Sequence, residues 1–169
     1  MSGGEGSTRI TGLSVGFSGT RTGMTAVQAS VVYEVMKSVG DVLHHGDCVG
    51  ADAEAHRIAA ELGLPIVVHP PLDRRLRAFC RGGEVRRPKL YRSRNNDILK
   101  ESSLLVTAPL GMAENGSGGT WPMMQKAREI GLPVVIAWPD GTTDTERLTG
   151  KLGAALNQVV PASAPARTR

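Results

Sequence analysis

The residues best suited to chemistry lie in a glycine-rich segment, GMAENGSGGTWPMMQKA, at positions 111–127. Glycine loses backbone entropy on folding, so a folded chain clusters it where the backbone must turn or approach a ligand. Backbone N–H groups, side-chain hydroxyls and the positive end of a helix predicted to follow would together bind an anion, most simply a phosphate. The predicted anion-binding residues are Gly116, Ser117, Gly118, Gly119 and Thr120.

A second segment of similar character, GFSGTR, follows the first predicted strand. It supplies two hydroxyl groups, a glycine and a guanidinium group that can form a forked contact with phosphate oxygens. Either segment alone is compatible with a tight turn that merely requires glycine. Two such segments after predicted strands favour a ligand site instead. The predicted ligand-binding residues of this second segment are Ser18, Gly19, Thr20 and Arg21.

A third segment, HHGDCVGADAEAH, follows the second predicted strand and contributes the candidates Gly46, Asp47, Gly50 and Asp52. The role of Asp52 stays open between helix-end electrostatics and a hydrogen bond to a ribose or a second loop. Adjacent histidines in a strand point to opposite faces, so His44 and His45 are not expected to share an ion. No metal site and no cofactor are predicted.

These segments need a scaffold that brings strand ends together. Apolar runs of strand length are followed by segments of helical period, which predicts a Rossmann-like, doubly wound α/β sheet of about five parallel strands with helices on both faces. With the strand order 3-2-1-4-5, the first and fourth strands flank the switch point where ligands bind. The predicted strands are 13–17, 42–45, 65–69, 104–108 and 133–138. The predicted helices are 25–39, 51–62, 92–100, 121–130 and 145–156, the first with a Thr25–Gln28 capping box.

The chain has 169 residues, enough for one domain, which we place at 12–156 between flexible tails at 1–11 and 157–169. It has no apolar run long enough to cross a membrane and no apolar leader segment. Its two cysteines are interpreted as free thiols in a reducing compartment, which predicts a cytoplasmic protein. A formal net charge of +4 permits an anionic ligand without requiring one.

The least regular segment, 70–90, carries seven basic and two acidic side chains. It is predicted to be a solvated surface loop, a lid that closes over a phosphate, or a patch for nucleic acid. The sequence leaves these three alternatives open.

Four motifs in this order, GFSGTR, HHGDCVGADAEAH, YRSRNNDIL and GSGGTW, resemble those of the SLOG superfamily, Rossmann-like domains related to the Smf/DprA DNA-processing proteins and the LOG phosphoribohydrolases. The resemblance covers about residues 14–140. It implies binding of a nucleotide or a nucleotide derivative, with Arg94 and Asn95 matching the family's Arg-Asn element. It also suggests a homodimer.

The phosphoribohydrolases in this superfamily carry a Pro-Gly-Gly-x-Gly-Thr turn followed by a glutamate in the next helical turn. Here the turn is followed by Trp121, Pro122, Met123 and Met124, so that glutamate is missing. Hydrolysis of an N-glycosidic bond develops oxocarbenium-like charge and needs a nearby carboxylate. By position, the candidate replacements are Asp47, Asp52 and Glu114.

Three functions follow as hypotheses. The first is a module that senses or sequesters a nucleotide derivative, and the second is a nucleoside-monophosphate N-glycoside hydrolase with a relocated acid. The third is single-stranded DNA binding, which the basic segment 70–90 favours and the low aromatic content of 4% disfavours.

Overall fold

A computed structural model describes residues 12–112 and 118–160, and a sheet of seven strands lies at the centre of this part of the chain. The strands are β1 (Ser14–Gly19), β2 (Val42–His45), β3 (Ile66–Val68), β4 (Glu84–Val85), β5 (Leu104–Ala108), β6 (Val134–Ala137) and β7 (Thr143–Glu146). The α-helices are α1 (Ala26–Val39), α2 (Ala51–Glu61), α3 (Tyr91–Lys100), α4 (Thr120–Glu129) and α5 (Gly150–Asn157). The predicted tail 1–11 and residues Glu114, Gly116 and Ser117 lie outside the described residues.

The sheet order is β4-β3-β2-β1-β5-β6-β7. Its five central strands are parallel and have the predicted order, with β1 paired to β2 on one side and to β5 on the other. The carboxyl ends of β1 and β5 therefore lie side by side at the switch point. The doubly wound α/β architecture is confirmed.

Two edge strands were missed by the sequence prediction. β4 has only two residues, both exposed, and it pairs in parallel with β3. β7 is antiparallel to β6 and occupies part of the segment predicted as a helix at 145–156, so that prediction is corrected: the helix begins only at Gly150. The polar sequence of β7 has no strand-like apolar pattern. It is held by partners distant in sequence, since Arg128 forms an ion pair with Glu146 at 2.8 Å.

Helices cover both faces of the sheet. On one face α1, α2 and α5 pack on a cluster that includes Val15, Phe17 and Leu43. On the other face α3 and α4 pack on a cluster that includes Leu105 and Ile136. The first cluster also includes Val160, so the core reaches past the predicted domain end at 156. None of the described helices is both long and apolar enough to span a membrane.

The start of α1 is tied to the strand ends that form the switch point. The predicted capping box is present: Gln28 N–H donates to Thr25 Oγ1 at 3.2 Å, and Thr25 N–H donates to Gln28 Oε1 at 3.0 Å. The buried Gln28 amide also donates to the carbonyls of Pro109 and Ala137, both at 2.9 Å. One side chain thus closes a helix end and satisfies the backbone just beyond β5 and at the end of β6.

We predict that Gln28→Leu lowers the free energy of unfolding by about 2–4 kcal/mol, because it leaves two buried carbonyls and one helix-end N–H without partners. Urea denaturation followed by circular dichroism measures the change. Ser30→Ala, an exposed position of the same helix, is the control and should stay within about 0.5 kcal/mol of the parent. An equal decrease in the free energy of unfolding in the two variants would contradict the role of Gln28 in satisfying these backbone groups.

Candidate functional site

A cavity of about 240 Å³ lies at the carboxyl ends of β1 and β5. We call it the crevice. Most of the ligand-binding residues predicted from the sequence line it, together with Tyr91, Trp121 and Cys48. The predicted residues that line it are Ser18, Gly19, Thr20, Arg21, Gly46, Asp52, Arg94, Asn95, Gly118, Gly119 and Thr120. Four distant segments of the sequence therefore meet in one place.

Two glycines hold the first loop in position. A Cβ atom on Gly19 would lie 2.6 Å from the Ala51 Cβ, so glycine is needed where β1 meets α2. Gly50 has a φ of +88°, and a Cβ there would lie 2.3 Å from the Arg21 carbonyl oxygen. Gly50, a predicted ligand residue, does not line the crevice. It packs closely against the backbone of Thr20 and Arg21.

Arg94 is the most constrained side chain of the crevice. It is 97% buried, since only 3% of its surface is exposed. Its Nη1 donates to the carbonyl of Gly46 and, at 3.2 Å, to that of His69, and its guanidinium lies 4.6 Å from the centre of the Tyr91 ring. Within residues 12–112 and 118–160 its Nε–H has no acceptor. Arg94 thus joins α3 to the ends of β2 and β3 and retains one unused buried donor.

Asp52 lies beside Arg94 at the start of α2. Its Oδ2 accepts hydrogen bonds from the N–H groups of Gly46, at 3.1 Å, and Cys48, at 3.2 Å. Both donors belong to the loop between β2 and α2, the same segment that contains Asp52, so these are not hydrogen bonds to a second loop, and the contact with a ribose stays a prediction. Burial raises the pKa of the Asp52 carboxyl to about 6, and the positive charge of Arg94 only partly opposes this shift.

Asp47, which was predicted both as a ligand residue and as a candidate acid, does not line the crevice. Its side chain is completely buried and accepts hydrogen bonds from Arg77 Nε at 2.8 Å and from the Cys80 N–H at 2.9 Å. The residue has a φ of +57°, a conformation that aspartate tolerates better than most residues. Asp47 therefore anchors the basic segment to the end of β2. Of the three candidate acids, only Asp52 is placed in the crevice, since Glu114 is not described.

The basic segment 70–90 contains β4 and a short 3-10 helix at Arg74–Leu76, and its residues 81–90 are all exposed. Four of its basic side chains form ion pairs with carboxylates. The pairs are Arg75–Asp73, Arg77–Asp47, Arg86 with Glu84 and Glu101, and Lys89–Asp97. Because these charges already have partners, the segment offers less free positive charge to nucleic acid than its sequence suggests.

Neighbouring aromatic residues have mainly packing roles. Trp121 is 5% exposed, and its ring centre lies 6.2 Å from that of Trp138. Tyr91 is half-buried, and its hydroxyl group occupies the space next to Gly119, where a Cβ atom would lie 1.5 Å from it. Tyr91 therefore forms a wall of the crevice beside the start of α4.

Comparisons with known proteins support the fold. No protein-family model matches the sequence, and no curated protein matches it. Among solved structures, the molybdenum cofactor binding protein of Rippkaea orientalis superposes with a TM-score of 0.60 at 20% sequence identity, covering 90% of this chain and 88% of that one. The Moco carrier protein of Chlamydomonas reinhardtii superposes with a TM-score of 0.55 at 23% identity, covering 73% and 75%.

The DNA processing protein DprA of Streptococcus pneumoniae superposes with a TM-score of 0.55 at 20% identity. The match covers 73% of this chain but only 50% of DprA, so the chain spans about half the length of that protein. This chain therefore shares its fold with these solved structures, and the Rossmann-like α/β fold predicted from the sequence is confirmed.

We predict that Gly46→Ala destabilises the protein by about 3 kcal/mol or more, because the added Cβ would lie 1.7 Å from Arg94 Nη1 and displace a buried charge from its partners. Gly111→Ala is the matched control: it also lines the crevice, but no heavy atom lies within 4 Å of its added Cβ. Urea denaturation compares the two. A Gly46→Ala variant as stable as Gly111→Ala would show that Arg94 is not tightly held.

We predict that sulfate binds the crevice more weakly as the pH rises through about 6, because Asp52 then becomes negatively charged. The pKa of Asp52 is raised on folding, so its contribution to stability is present below its ordinary pKa and lost as the pH rises through 6. Calorimetry with sulfate, whose charge is constant in this range, measures the effect. Asp52→Asn should remove the pH dependence of sulfate binding. If the pH dependence is the same in this variant, another group causes it.

Proposed function

We propose that this protein binds a small phosphorylated ligand, a nucleotide or a nucleotide derivative, in the crevice and acts as a sensor or sequestering module. The phosphate would lie between Arg21 and the start of α4. The observation that carries the proposal is the meeting of two sets of anion-binding groups, GFSGTR and Gly118 to Thr120, in one cavity at the switch point of the sheet.

The start of α4 is suited to an anion. Its N-cap residue, Gly119, has no side chain to cap the first turn, so backbone N–H groups of that turn are available to a ligand. Arg21, across the cavity, is exposed and lines the crevice with Ser18 and Thr20. Arg21 supplies a positive charge, and the guanidinium, hydroxyl and backbone N–H groups are donors to phosphate oxygens.

The charge of the crevice also favours an anion. Its described lining contains two guanidinium groups, those of Arg21 and Arg94, and one carboxyl group, that of Asp52. The raised pKa of Asp52 makes its negative charge easier to neutralise by protonation than that of an ordinary aspartate. The unused Nε–H of Arg94 adds a buried donor that a ligand acceptor can satisfy.

The crevice alone is smaller than the usual pocket for a drug-sized ligand, which is roughly 300–1,000 Å³. A groove of about 760 Å³ adjoins it and shares Arg21, Tyr91 and Gly119 with it. The groove is lined further by amide side chains, among them Asn96 and Gln125, which can hydrogen-bond to the edge of a base. We propose that the phosphate occupies the crevice and that the organic part of the ligand extends into the groove.

A second candidate function, N-glycoside hydrolysis of a nucleoside monophosphate, is favoured by one specific observation. Asp52 is a carboxyl group in the crevice with a pKa raised towards neutrality, as general acids require. Both of its N–H donors contact the same oxygen, Oδ2, so Oδ1 is the atom that would deliver a proton.

We expect thermal unfolding with a panel of ligands to identify the class. The panel comprises nucleoside monophosphates, ADP-ribose, cyclic nucleotides, the molybdenum cofactor named in two of the similar structures, and a short single-stranded DNA. A ligand at 100 times its dissociation constant should raise the melting temperature by about 5–10 °C. Arg21→Ala should abolish the shift. Arg57→Ala removes the same charge from an exposed site on α2 and should retain it.

A shift with DNA alone would refute the small-ligand proposal, as would a nucleotide shift that survives Arg21→Ala. Chromatography of each bound monophosphate after incubation separates binding from hydrolysis. Release of free base that stops in Asp52→Asn would establish the second candidate, and intact ligand throughout would exclude it for that nucleotide. The homodimer suggested by the family resemblance stays a prediction, which sedimentation can test.

A further inference from the structure

We propose that His44, His69 and Glu101 form a binding site for a divalent metal ion of the zinc class, separate from the crevice. The three residues come from β2, the end of β3 and the end of α3, on the face of the sheet that α3 covers. Their ligand atoms all lie within 4.8 Å of one another. Two imidazoles and a carboxylate are a usual donor set for zinc, with a fourth position left for water.

The spacing of the donor atoms fits one ion. Zinc lies about 2.0–2.2 Å from nitrogen and oxygen ligands, so two ligands at a tetrahedral angle are about 3.3 Å apart. His44 Nδ1 is 3.0 Å from His69 Nε2 and 3.7 Å from Glu101 Oε2. These two distances bracket the tetrahedral value, and the ligand atoms of His69 and Glu101 lie within 4.8 Å of each other.

Both imidazoles are available as neutral ligands. Both rings are buried, and the hydrogen bond between His44 Nδ1 and His69 Nε2, at 3.0 Å, requires that at least one of these two nitrogens carries no proton. In the His44–His69 contact one ring donates its proton to the other. On metal binding that proton moves to the other nitrogen of the same ring, and both facing nitrogens then direct lone pairs at the ion.

The carboxylate partner is also accessible to an ion. The Glu101 side chain is 36% exposed, and its Oε2 accepts from Arg86 Nη2 at 3.0 Å. Arg86 is itself exposed and makes a second ion pair with Glu84 at 2.8 Å, which it would keep. A metal ion would therefore replace one contact of a surface arginine without leaving that arginine unpaired.

A second cluster, His45, His56 and Cys80, has similar spacing but a fixed proton arrangement. The Asp47 N–H donates to His45 Nδ1 at 3.0 Å, so the proton of His45 must be on Nε2, which faces His56 Nδ1 at 2.9 Å. The proton of His56 is then on Nε2 and is donated to the Arg81 carbonyl at 2.7 Å. All four ring nitrogens of His45 and His56 take part in hydrogen bonds. His45 Nε2, the nitrogen that would have to bind the metal, carries a proton.

The metal would act structurally. The carbonyl of His69 accepts a hydrogen bond from Arg94, so an ion on the His69 ring would stiffen the strand end that holds Arg94. It would also fix the end of α3 to β2 through Glu101. This role does not depend on which ligand the crevice binds.

The test is titration of untagged, chelator-treated protein with Zn²⁺ by calorimetry, and with Co²⁺ by visible absorption, where a tetrahedral site gives intense bands. We expect one equivalent to bind. His44→Ala and His69→Ala should abolish binding. His56→Ala is the matched control, because it removes an equally buried imidazole from the other cluster, and it should retain the wild-type affinity.

Two variants at partly exposed positions keep the test independent of folding. Glu101→Gln should weaken Zn²⁺ binding by at least about tenfold. Arg86→Gln should strengthen it severalfold, since a competing cation is removed. The proposal is overturned if the wild type binds no Zn²⁺, if binding is lost in His56→Ala and kept in His44→Ala, or if Glu101→Gln and Arg86→Gln both leave the affinity unchanged.

Discussion

The arrangement of the crevice depends on the buried guanidinium group of Arg94. Removing a charge from water is costly, and here it is offset by two backbone carbonyls, the nearby Asp52 carboxyl and the Tyr91 ring. Those contacts reach the ends of β2 and β3 and the first turn of α3 at the same time. Gly46 has no side chain because the guanidinium occupies the space of its Cβ. This interaction therefore requires glycine at position 46 and joins β2, β3 and α3 beside the crevice.

The two aspartates at the end of β2 show how similar residues acquire different roles. Asp47 faces the basic segment, where Arg77 neutralises its charge, and it serves as an anchor. Asp52, five residues further on at the start of α2, lines the crevice, and desolvation raises its pKa to about 6. Because Asp47 is directed away, its charge is not in the lining of the crevice, whose described residues include two arginines and one weakly acidic carboxyl.

The two faces of β2 carry two histidine pairs with opposite properties. On one face the proton positions of His45 and His56 are fixed by a backbone donor and a backbone acceptor, and the pair links the end of β2 to the basic segment. On the other face His44 and His69 contact each other beside a partly exposed carboxylate. The difference arises from the groups that surround each imidazole ring, since the residue type is histidine in both pairs.

The sequence by itself determined the architecture and most of the crevice. Apolar strand runs, the Thr25–Gln28 capping box and the loops GFSGTR and GSGGT are local signals, and strands buried on both faces must form the centre of a sheet. It did not determine β7, whose polar residues are held by Arg128 and by pairing with β6, or the direction of Asp47. It also did not reveal the burial of Arg94 or the partners of the four histidines. Those features depend on contacts between residues far apart in the chain, and only the tertiary structure decides which groups meet.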